Sequence, residues 1–220
     1  MANEQSDFWS KVAPKYDHVV DLQIGPQTRS MVRERVAKEA RLGNLVEFGC
    51  GTGFYTAVLA EKANSVLATD ASPGMLALAK DRIQAPNVTF QVEDCRQTSL
   101  ADGAFDTAFL SLVIHFTEPE KTLAEMRRIL KPGGTLITTN LDPRALTGLD
   151  RIRCLIRIVY HGFTGYRVKP PRGFGKNVIT GEQLCDLLDK CGFAVVSSET
   201  IKDASRSANI PVEYVRAVKV

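Results

Sequence analysis

Three glycines at alternate positions are the residues of this sequence with the clearest chemical meaning. Gly49, Gly51 and Gly53 follow an apolar run that ends at Phe48, and Glu47 precedes that end. Glycine permits the tight backbone of a strand-to-helix turn and leaves room for a ligand to lie against it. Such a loop suits a nucleotide-like cofactor at the carboxyl end of a parallel strand, and the alternative is a turn without a ligand.

Two classes of cofactor compete for this loop. Dinucleotide sites use the spacing G-x-G-x-x-G/A, in which the third small residue lets the helix pack on the strand. Counted from Gly49 this position is Phe54, and counted from Gly51 it is Thr56, so neither residue is small. Glu47 is unfavourable beside a pyrophosphate and suits a cationic ligand. The spacing E-x-G-x-G-x-G resembles motif I of the class I S-adenosylmethionine-dependent methyltransferases, whose cofactor is a sulfonium cation.

Acids follow the next two predicted strands. Asp70 ends the second strand and lies 21 residues after Gly49. An acid at that distance caps the neighbouring parallel strand and hydrogen-bonds ribose hydroxyls. Ser72 is the predicted N-cap of the helix that follows. Asp94 comes after a third predicted strand at 88–92, and the alternative for Asp94 is a solvated acid in a turn.

A fourth predicted strand, 105–113, is nearly all apolar, as expected for a strand covered on both faces. Its start, Gly103-Ala104-Phe105-Asp106, resembles the "FD" entry of the methyltransferase family. Thr117 and Glu120 have the spacing of a capping box at the start of a helix. That helix ends in the pattern R-x-L-K-P-G-G-x-L at 128–136, which resembles a signature of the small-molecule branch of this family and leads into a fifth strand.

These matches lie in order over residues 44–140, and the chain is identified as a member of the class I S-adenosylmethionine-dependent methyltransferases. It is similar to the ubiquinone/menaquinone-biosynthesis and phospholipid N-methyltransferases of the small-molecule branch. The resemblance implies an α/β, Rossmann-like fold: a seven-stranded, mostly parallel sheet with helices on both faces and an antiparallel last strand. Residues 193–197 and 212–218 supply the final strand pair, after a helix that Thr180 and Gln183 begin with capping-box spacing.

The resemblance also implies S-adenosyl-L-methionine as the cofactor and assigns residues to its site. In this family the acid that Asp94 matches contacts the adenine amino group, and the following residue offers its backbone amide. The cofactor-binding residues expected on this basis are Tyr16, Glu47, Gly49, Cys50, Gly51, Gly53, Asp70, Ala71, Met75, Asp94, Cys95 and Ser111.

The N-terminal segment 8–17 resembles the "VAxxYD" segment that opens the quinone-biosynthesis enzymes. The resemblance implies that this segment folds over the cofactor, that Tyr16 lines the site, and that Phe8 or Trp9 acts as an apolar lid. The alternative is an ordinary amphipathic helix that buries Phe8, Trp9 and Val12 against the sheet. A further surface helix is predicted over residues 26–41.

The segment 151–181 carries seven basic residues and not one acid, although the whole chain has a net charge of only +3. A basic amphipathic helix is followed there by a loop rich in glycine, proline and aromatic residues. Three alternatives stay open: a solvated lid, an anion-binding mouth for an acidic substrate, and a contact with anionic lipid headgroups. No nucleic-acid-binding module is recognisable. The substrate-contacting residues expected are His115, Arg153, Arg157, Tyr160 and Tyr166.

Methyl transfer from a sulfonium requires alignment of the reacting atoms more than acid or base catalysis. A general base is needed only if the nucleophile begins protonated. His115, at the carboxyl end of the fourth strand, is the best candidate for the base, and Tyr16 is a weaker one. The alternative for His115 is a residue at a helix entry that makes one backbone hydrogen bond.

The composition agrees with one enzyme domain. The chain has 220 residues, of which 44% are hydrophobic, enough for a substantial core. We expect a single methyltransferase domain over 1–220, with an N-terminal lid and helices (1–43), a cofactor-binding core (44–140), a basic substrate or lid insert (141–181) and a C-terminal helix and strand pair (182–220). Five scattered cysteines indicate a reducing compartment and no metal site, and together with a polar N-terminus they predict a cytoplasmic protein.

The expected function is transfer of a methyl group from S-adenosylmethionine to a small-molecule acceptor by in-line displacement. The acceptor could be anionic or lipid-like, and oxygen, nitrogen, carbon and sulfur nucleophiles all stay open. One alternative is a membrane-associated quinone or phospholipid methyltransferase, with peripheral contact to the bilayer. Another, from a different class, is a regulatory protein that binds the cofactor without catalysis. Nucleic acid is not an expected partner, and the pattern does not predict an oligomeric state.

Overall fold

A computed structural model describes residues 2–146, 148–154, 156, 177–203 and 209–220. Its strands are β1 (Asn44–Phe48), β2 (Ser65–Asp70), β3 (Val88–Val92), β4 (Phe105–Ser111), β5 (Leu130–Leu141), β6 (Phe193–Ile201) and β7 (Val212–Lys219). They form a seven-stranded sheet in the order β3-β2-β1-β4-β5-β7-β6. Strands β1 to β5 pair in parallel, and β7 lies antiparallel between β5 and β6. The predicted Rossmann-like α/β fold with an antiparallel last strand is confirmed.

Helices flank the sheet on both faces. They are α1 (Ala2–Val12), α2 (Tyr16–Ile24), α3 (Pro26–Ala37), α4 (Thr56–Lys62), α5 (Pro73–Arg82), α6 (Pro119–Ile129) and α7 (Gly181–Lys190). Residues 148–154 and 156 are also helical. Short 3-10 turns occupy Ala13–Lys15, Ile114–Phe116 and Pro143–Ala145.

The apolar pattern of the strands explains this arrangement of two helical layers. Phe109 of β4 packs with Val32 and Leu59, on the face that carries α3 and α4. Its neighbour Leu110 packs with Met126, on the opposite face that carries α6. Successive side chains of a strand point to opposite faces, so a strand covered on both sides must be apolar throughout.

Two helix starts predicted from capping residues are confirmed. The Ser72 hydroxyl accepts the Met75 N–H at 3.2 Å and begins α5. At α7, Thr180 accepts the Gln183 N–H at 3.1 Å, and the Gln183 side chain accepts the Thr180 N–H at 2.9 Å. This is the full capping box, in which side chains satisfy backbone donors that the helix leaves unpaired.

The capping box predicted for Thr117 and Glu120 is wrong. Helix α6 begins at Pro119, and its N-cap Glu118 makes no side-chain cap bond. The Thr117 hydroxyl instead donates to the Ile114 carbonyl at 2.9 Å, which closes the preceding 3-10 turn. Proline has no N–H and fits the first helical position without needing a cap acceptor.

Several element boundaries differ from the predicted ones. The strand predicted over 105–113 ends at Ser111, and the strand predicted over 193–197 continues to Ile201. Helix α3 ends at Ala37 and does not continue to Arg41, because the Lys38 N–H already turns back to the carbonyls of its last turn. Strand β5 begins at Leu130, which pairs with Phe105, and the next pair is Thr107 with Thr135. The residues between these two pairs on β5 include Pro132 and two glycines, and they bulge from the ladder.

Among the described residues, no helix combines the length and the apolar character that a membrane crossing requires.

Candidate active site

The glycine loop joins β1 to α4, and its three glycines have positive φ angles of 64° at Gly49, 55° at Gly51 and 83° at Gly53. A Cβ atom at Gly51 would lie 3.0 Å from the Tyr16 ring, and one at Gly49 would lie 2.2 Å from Val113. Side chains are disfavoured here both by the left-handed backbone and by the lack of space. The loop therefore presents bare backbone to the cavity above it.

Asp70 ends β2 beside this loop and is tied to it by hydrogen bonds. Its carboxylate accepts the Gly51 N–H at 3.0 Å and the Ser72 N–H at 2.8 Å. Burial raises the pKa of Asp70 to about 6, although these two hydrogen bonds act in the opposite direction. Each carboxylate oxygen has a second lone pair, so Asp70 can hold the loop and still accept a hydroxyl from a ligand.

Glu47 lies beneath the glycine loop, away from the cavity wall. Its side chain is 2% exposed and accepts the Thr56 hydroxyl at 2.6 Å at the start of α4. Burial raises the pKa of Glu47 to about 7, and the nearby charge of Asp70 acts in the same direction. The structure therefore places this acid as a support between β1 and α4.

A cavity of about 360 Å³ opens above the loop at the carboxyl ends of β1, β2 and β4. Eight of the predicted cofactor-binding residues line it: Tyr16, Gly49, Gly51, Asp70, Ala71, Met75, Asp94 and Cys95. Two further charged residues, Glu93 and Arg96, line it on either side of Asp94 in the turn after β3. Arg96 Nε donates to Asp94 Oδ1 at 2.9 Å, so the lone guanidinium of the lining is already paired. The excess of carboxylates suits a cationic ligand better than a pyrophosphate.

Four predicted cofactor-binding residues are not on this wall: Glu47, Cys50, Gly53 and Ser111. Gly53 backs onto α5, where a Cβ would lie 3.0 Å from Ile83. Ser111 shares a hydrogen bond of 2.8 Å with the Thr139 hydroxyl of β5. Burial raises the pKa of the Cys50 thiol, which therefore stays protonated. These residues support the loop and the strand ends from behind.

Helix α1 crosses the mouth of the cavity and is fastened on both sides. Ser6 donates to the Ala71 carbonyl at 2.8 Å, and Gln5 donates to the Phe116 carbonyl at 2.9 Å. Trp9 lines the cavity, with its ring 5.0 Å from that of Phe116, while Phe8 is buried in the core. Small polar residues on an amphipathic helix give no sequence signal, so Gln5 and Ser6 were missed.

Sequence reasoning also missed Glu93, Arg96, Phe116 and Thr117, which line the same cavity. Glu93 and Arg96 flank Asp94 in the turn after β3, so extending the predicted site along that turn would have found them. Phe116 follows His115 in the 3-10 turn after β4, and Thr117 is the residue that caps this turn. Only the packing of this turn against α1 shows that they reach the cavity.

His115 lies in that 3-10 turn and is 3% exposed. Its Nδ1 atom has no hydrogen-bond partner, and burial lowers its pKa to about 4, so the imidazole is neutral at pH 7. The side chain lines a second, much smaller cavity, whose wall also includes Trp9, Tyr16 and Phe116. Trp9, Tyr16, Leu112 and Phe116 line both cavities, so the cavity beside His115 adjoins the one above the glycine loop.

The basic insert is only partly covered by the structure. Arg153 is exposed and lies 3.6 Å from the carboxylate of Asp150, and it lines neither cavity. Arg157, Tyr160 and Tyr166 lie outside the described residues. Within the described ranges, no three His, Cys, Asp or Glu side chains are grouped to hold a metal ion.

Comparisons with known proteins agree with this geometry. Residues 46–138 match a family model described as a methyltransferase domain. The chain is 36% identical over 138 residues to a demethylmenaquinone methyltransferase of Paenarthrobacter aurescens, covering 61% of this chain and 54% of the relative. It is 31% identical over 144 residues to a malonyl-[acyl-carrier protein] O-methyltransferase of Serratia marcescens, covering 64% of this chain and 54% of the relative. The chain thus matches about half the length of these curated relatives.

A solved structure shows the same fold at lower identity. The N-methyltransferase NodS from Bradyrhizobium japonicum, in complex with S-adenosyl-L-homocysteine, superposes with a TM-score of 0.65 at 16% identity. The match covers 89% of this chain and 87% of that one.

Proposed function

Since this chain carries a class I S-adenosylmethionine-dependent methyltransferase domain of the small-molecule branch, we propose that it transfers a methyl group from S-adenosylmethionine to a small-molecule acceptor. The observation that carries the proposal is a single cavity lined by the bare glycine loop, by Asp70 and by Asp94. S-adenosylmethionine supplies, when bound, a methyl group already activated by a positively charged sulfur. The protein must then align the acceptor and exclude water.

The residues of the cavity fit this cofactor. Gly49 and Gly51 would lie against its amino-acid end, Asp70 would accept its ribose hydroxyls, and Asp94 with Cys95 would hold its adenine. The carboxylate excess of the wall favours a cation, which supports S-adenosylmethionine over a dinucleotide. Glu47, Cys50, Gly53 and Ser111 act in this proposal by supporting the loop and the strand ends.

His115 is the proposed site of contact with the acceptor. A neutral imidazole with an unpartnered Nδ1 can accept a hydrogen bond from an O–H or N–H group of the acceptor. It would orient the nucleophile and take its proton as the methyl group is transferred. Tyr16 and Trp9, which line both cavities, would pack against the acceptor between His115 and the loop.

Calorimetric titration tests the cofactor part of the proposal. We expect S-adenosylhomocysteine to bind the wild type, and the variant Asp70→Ala to lose at least tenfold in affinity, because hydrogen bonds to a charged group contribute about 1.5–3 kcal/mol. The matched control is Asp102→Ala, since Asp102 is 80% exposed and pairs with Arg128 away from the cavity. No heat with S-adenosylhomocysteine, together with tight binding of NAD, would reject the proposal.

A cofactor-consumption screen tests the acceptor. It should include phenols, amines, thiols, quinones, ethanolamine lipids and acyl-carrier-protein thioesters, since two relatives are named for a quinone and for malonyl-acyl carrier protein. With the best acceptor, we expect His115→Phe to bind S-adenosylhomocysteine normally and to lose about 10²-fold or more in kcat. The exposed His18→Phe is the matched control. Full turnover by His115→Phe would remove His115 from the mechanism.

A second candidate is the same reaction on a quinone or phospholipid acceptor at a membrane, and one observation favours it. Leu149, Ile152 and Ile156 recur at helical spacing and are 69%, 54% and 64% exposed. Arg151 and Arg153 on the same segment are also exposed. An exposed apolar stripe flanked by basic residues suits the surface of an anionic bilayer.

Vesicle co-sedimentation tests this second candidate. We expect binding to phosphatidylcholine vesicles that contain phosphatidylglycerol and little binding to phosphatidylcholine alone, with weaker binding by Ile152→Ser. The control is Val196→Ser, which removes an apolar side chain that is 57% exposed on β6. Equal sedimentation of both variants, or indifference to the anionic lipid, would contradict a membrane contact through this stripe.

We also propose that the chain works as one domain, since all seven strands share one sheet. Its N-terminal residues 1–43 would serve as lid and helices, 44–140 as cofactor core, 141–181 as substrate or lid insert, and 182–220 as C-terminal helix and strand pair. The non-catalytic alternative predicts cofactor binding without turnover in the screen above. The cytoplasmic location stays a prediction from the cysteine pattern.

A further inference from the structure

Asp17, in the first turn of α2, receives donors from three separate segments of the chain. Its Oδ1 accepts Arg29 Nη2 of α3 at 2.6 Å and the Thr52 hydroxyl of the glycine loop at 2.8 Å. Its Oδ2 accepts Arg82 Nη1 at the end of α5. The Arg82 guanidinium also reaches the Thr52 carbonyl at 3.4 Å. One carboxylate thus joins the N-terminal region, the loop and the helix after β2.

Two of the three partners of Asp17, Arg29 and Thr52, are buried, and this makes the connection firm. Arg29 is only 5% exposed, its guanidinium lies 3.8 Å from the centre of the Phe54 ring, and it also donates to Asp21 at 3.3 Å. Burial on its own raises the pKa of Asp17, but the hydrogen bonds from Arg29, Arg82 and Thr52 outweigh it and lower the pKa overall. The carboxylate therefore stays ionised at pH 7 and keeps all three contacts.

The hydrogen bonds of Asp17 restrain one residue on each side of the cavity opening, Thr52 in the glycine loop and Tyr16 in α2. Thr52 lies between Gly51 and Gly53, so a bond to its hydroxyl restrains the backbone between two conformationally permissive residues. Tyr16 directly precedes Asp17, and its ring is the nearest group to the space above Gly51. Asp17 thus sets the distance between the ring that covers the cavity and the backbone that forms its floor.

We propose that Asp17 is a positioning residue that locks the glycine loop and Tyr16 into the arrangement that binds S-adenosylmethionine. This inference rests on the proposed function, and it adds a role for a residue that does not line the cavity. Asp17 acts through Thr52 and Tyr16, without touching the cofactor.

The test compares four variants: Asp17→Asn, Thr52→Val, the double variant, and Asp21→Asn. Asp21 is the matched control, because it pairs with the same Arg29 and does not touch the loop. We expect Asp17→Asn to lower the affinity for S-adenosylhomocysteine at least tenfold and Thr52→Val to lower it three- to tenfold. The double variant should be no weaker than Asp17→Asn, and Asp21→Asn should stay within twofold of the wild type. With an acceptor, KM for S-adenosylmethionine should rise while kcat changes less than threefold.

Thr52→Val leaves the Asp17–Arg29 ion pair in place, so it remains informative if Asp17→Asn fails to fold. Wild-type affinity in Thr52→Val, additive losses in the double variant, or an equal loss in Asp21→Asn would each overturn the proposal. Hydrogen exchange of the ligand-free protein gives a separate readout: Asp17→Asn and Thr52→Val should speed exchange of amides 51–53, and Asp21→Asn should not. If the wild type binds no S-adenosylhomocysteine, the proposed function fails, and the exchange of these amides still decides whether Asp17 holds the loop.

Discussion

Substitution of Gly51 by alanine gives the most direct test of the glycine loop as a cofactor site. At φ 55° an added Cβ meets the left-handed backbone penalty, and it would also lie 3.0 Å from the Tyr16 ring. The backbone penalty is about 1–2 kcal/mol. Relief of the contact requires the loop or the ring to move by a few tenths of an ångström, and both are walls of the cavity.

A matched control separates these two effects. Gly103 has φ 60°, and a Cβ there would meet nothing within 4 Å. Gly103→Ala therefore carries the backbone penalty alone, at a turn that lines neither cavity. Gly103→Ala should lose about 1–2 kcal/mol of unfolding free energy in urea, and Gly51→Ala should lose at least as much, because it carries the contact with Tyr16 as well. Only Gly51→Ala should also bind S-adenosylhomocysteine more weakly.

The size of the binding loss follows from the strain. A displacement of the loop backbone that costs about 1.4–2.8 kcal/mol of binding free energy lowers the affinity for S-adenosylhomocysteine about 10- to 100-fold, since about 1.4 kcal/mol corresponds to a factor of ten. Calorimetry measures the affinity, and urea unfolding checks the fold of each variant. Wild-type affinity in a folded Gly51→Ala, or an equal loss in Gly103→Ala, would refute the reasoning.

Three further outcomes are expected. The pKa of Glu47 is raised to about 7, so between about pH 4.5 and 7 this group binds a proton more readily in the folded protein than in the unfolded chain, and it lowers stability as pH rises through that range. Glu47→Gln should therefore raise Tm at pH 8 and leave it nearly unchanged at pH 4.5. Equal shifts of Tm at both pH values would contradict this. Met126→Ala empties a fully buried position and should cost about 2–5 kcal/mol in urea unfolding, whereas Lys121→Ala on the exposed face of the same helix should change stability by less than about 0.5 kcal/mol. Thr180→Ala removes one half of the capping box and should cost about 0.5–2 kcal/mol, with no change in cofactor affinity.

Local patterns were enough to predict the elements around the cofactor site. The glycine spacing, the acid at position 70 and the apolar run of β4 predicted a parallel sheet with a loop at its carboxyl edge. These signals are strong because each depends on neighbours in the chain: a turn needs glycine, and a strand buried on both faces needs apolar residues throughout. The failed capping box at Thr117 shows the limit of such patterns, since Pro119 fits the helix start without a cap.

Contacts between distant segments could not be predicted in the same way. Nothing in the sequence pairs Asp17 with Thr52, or Ser6 with Ala71, because these residues meet only when α1 and α2 fold over the sheet edge. The same holds for Glu47, whose position before the glycines suggested a ligand contact. Its side chain points under the loop to Thr56. Successive side chains of a strand point to opposite faces of the sheet, so the position in the sequence alone did not show which way Glu47 points.

The sequence by itself determined the class of fold, the place of the loop and the acids beside it, because periodicity and turn chemistry are properties of neighbouring residues. Only the tertiary structure decided which of those residues face the cavity and which support it. It also decided that His115 is buried and neutral and that one aspartate joins three segments at the loop. Burial, charge and hydrogen bonding at a site are set by segments far apart in the chain, and their approach is fixed only when the whole sheet and its helices have packed.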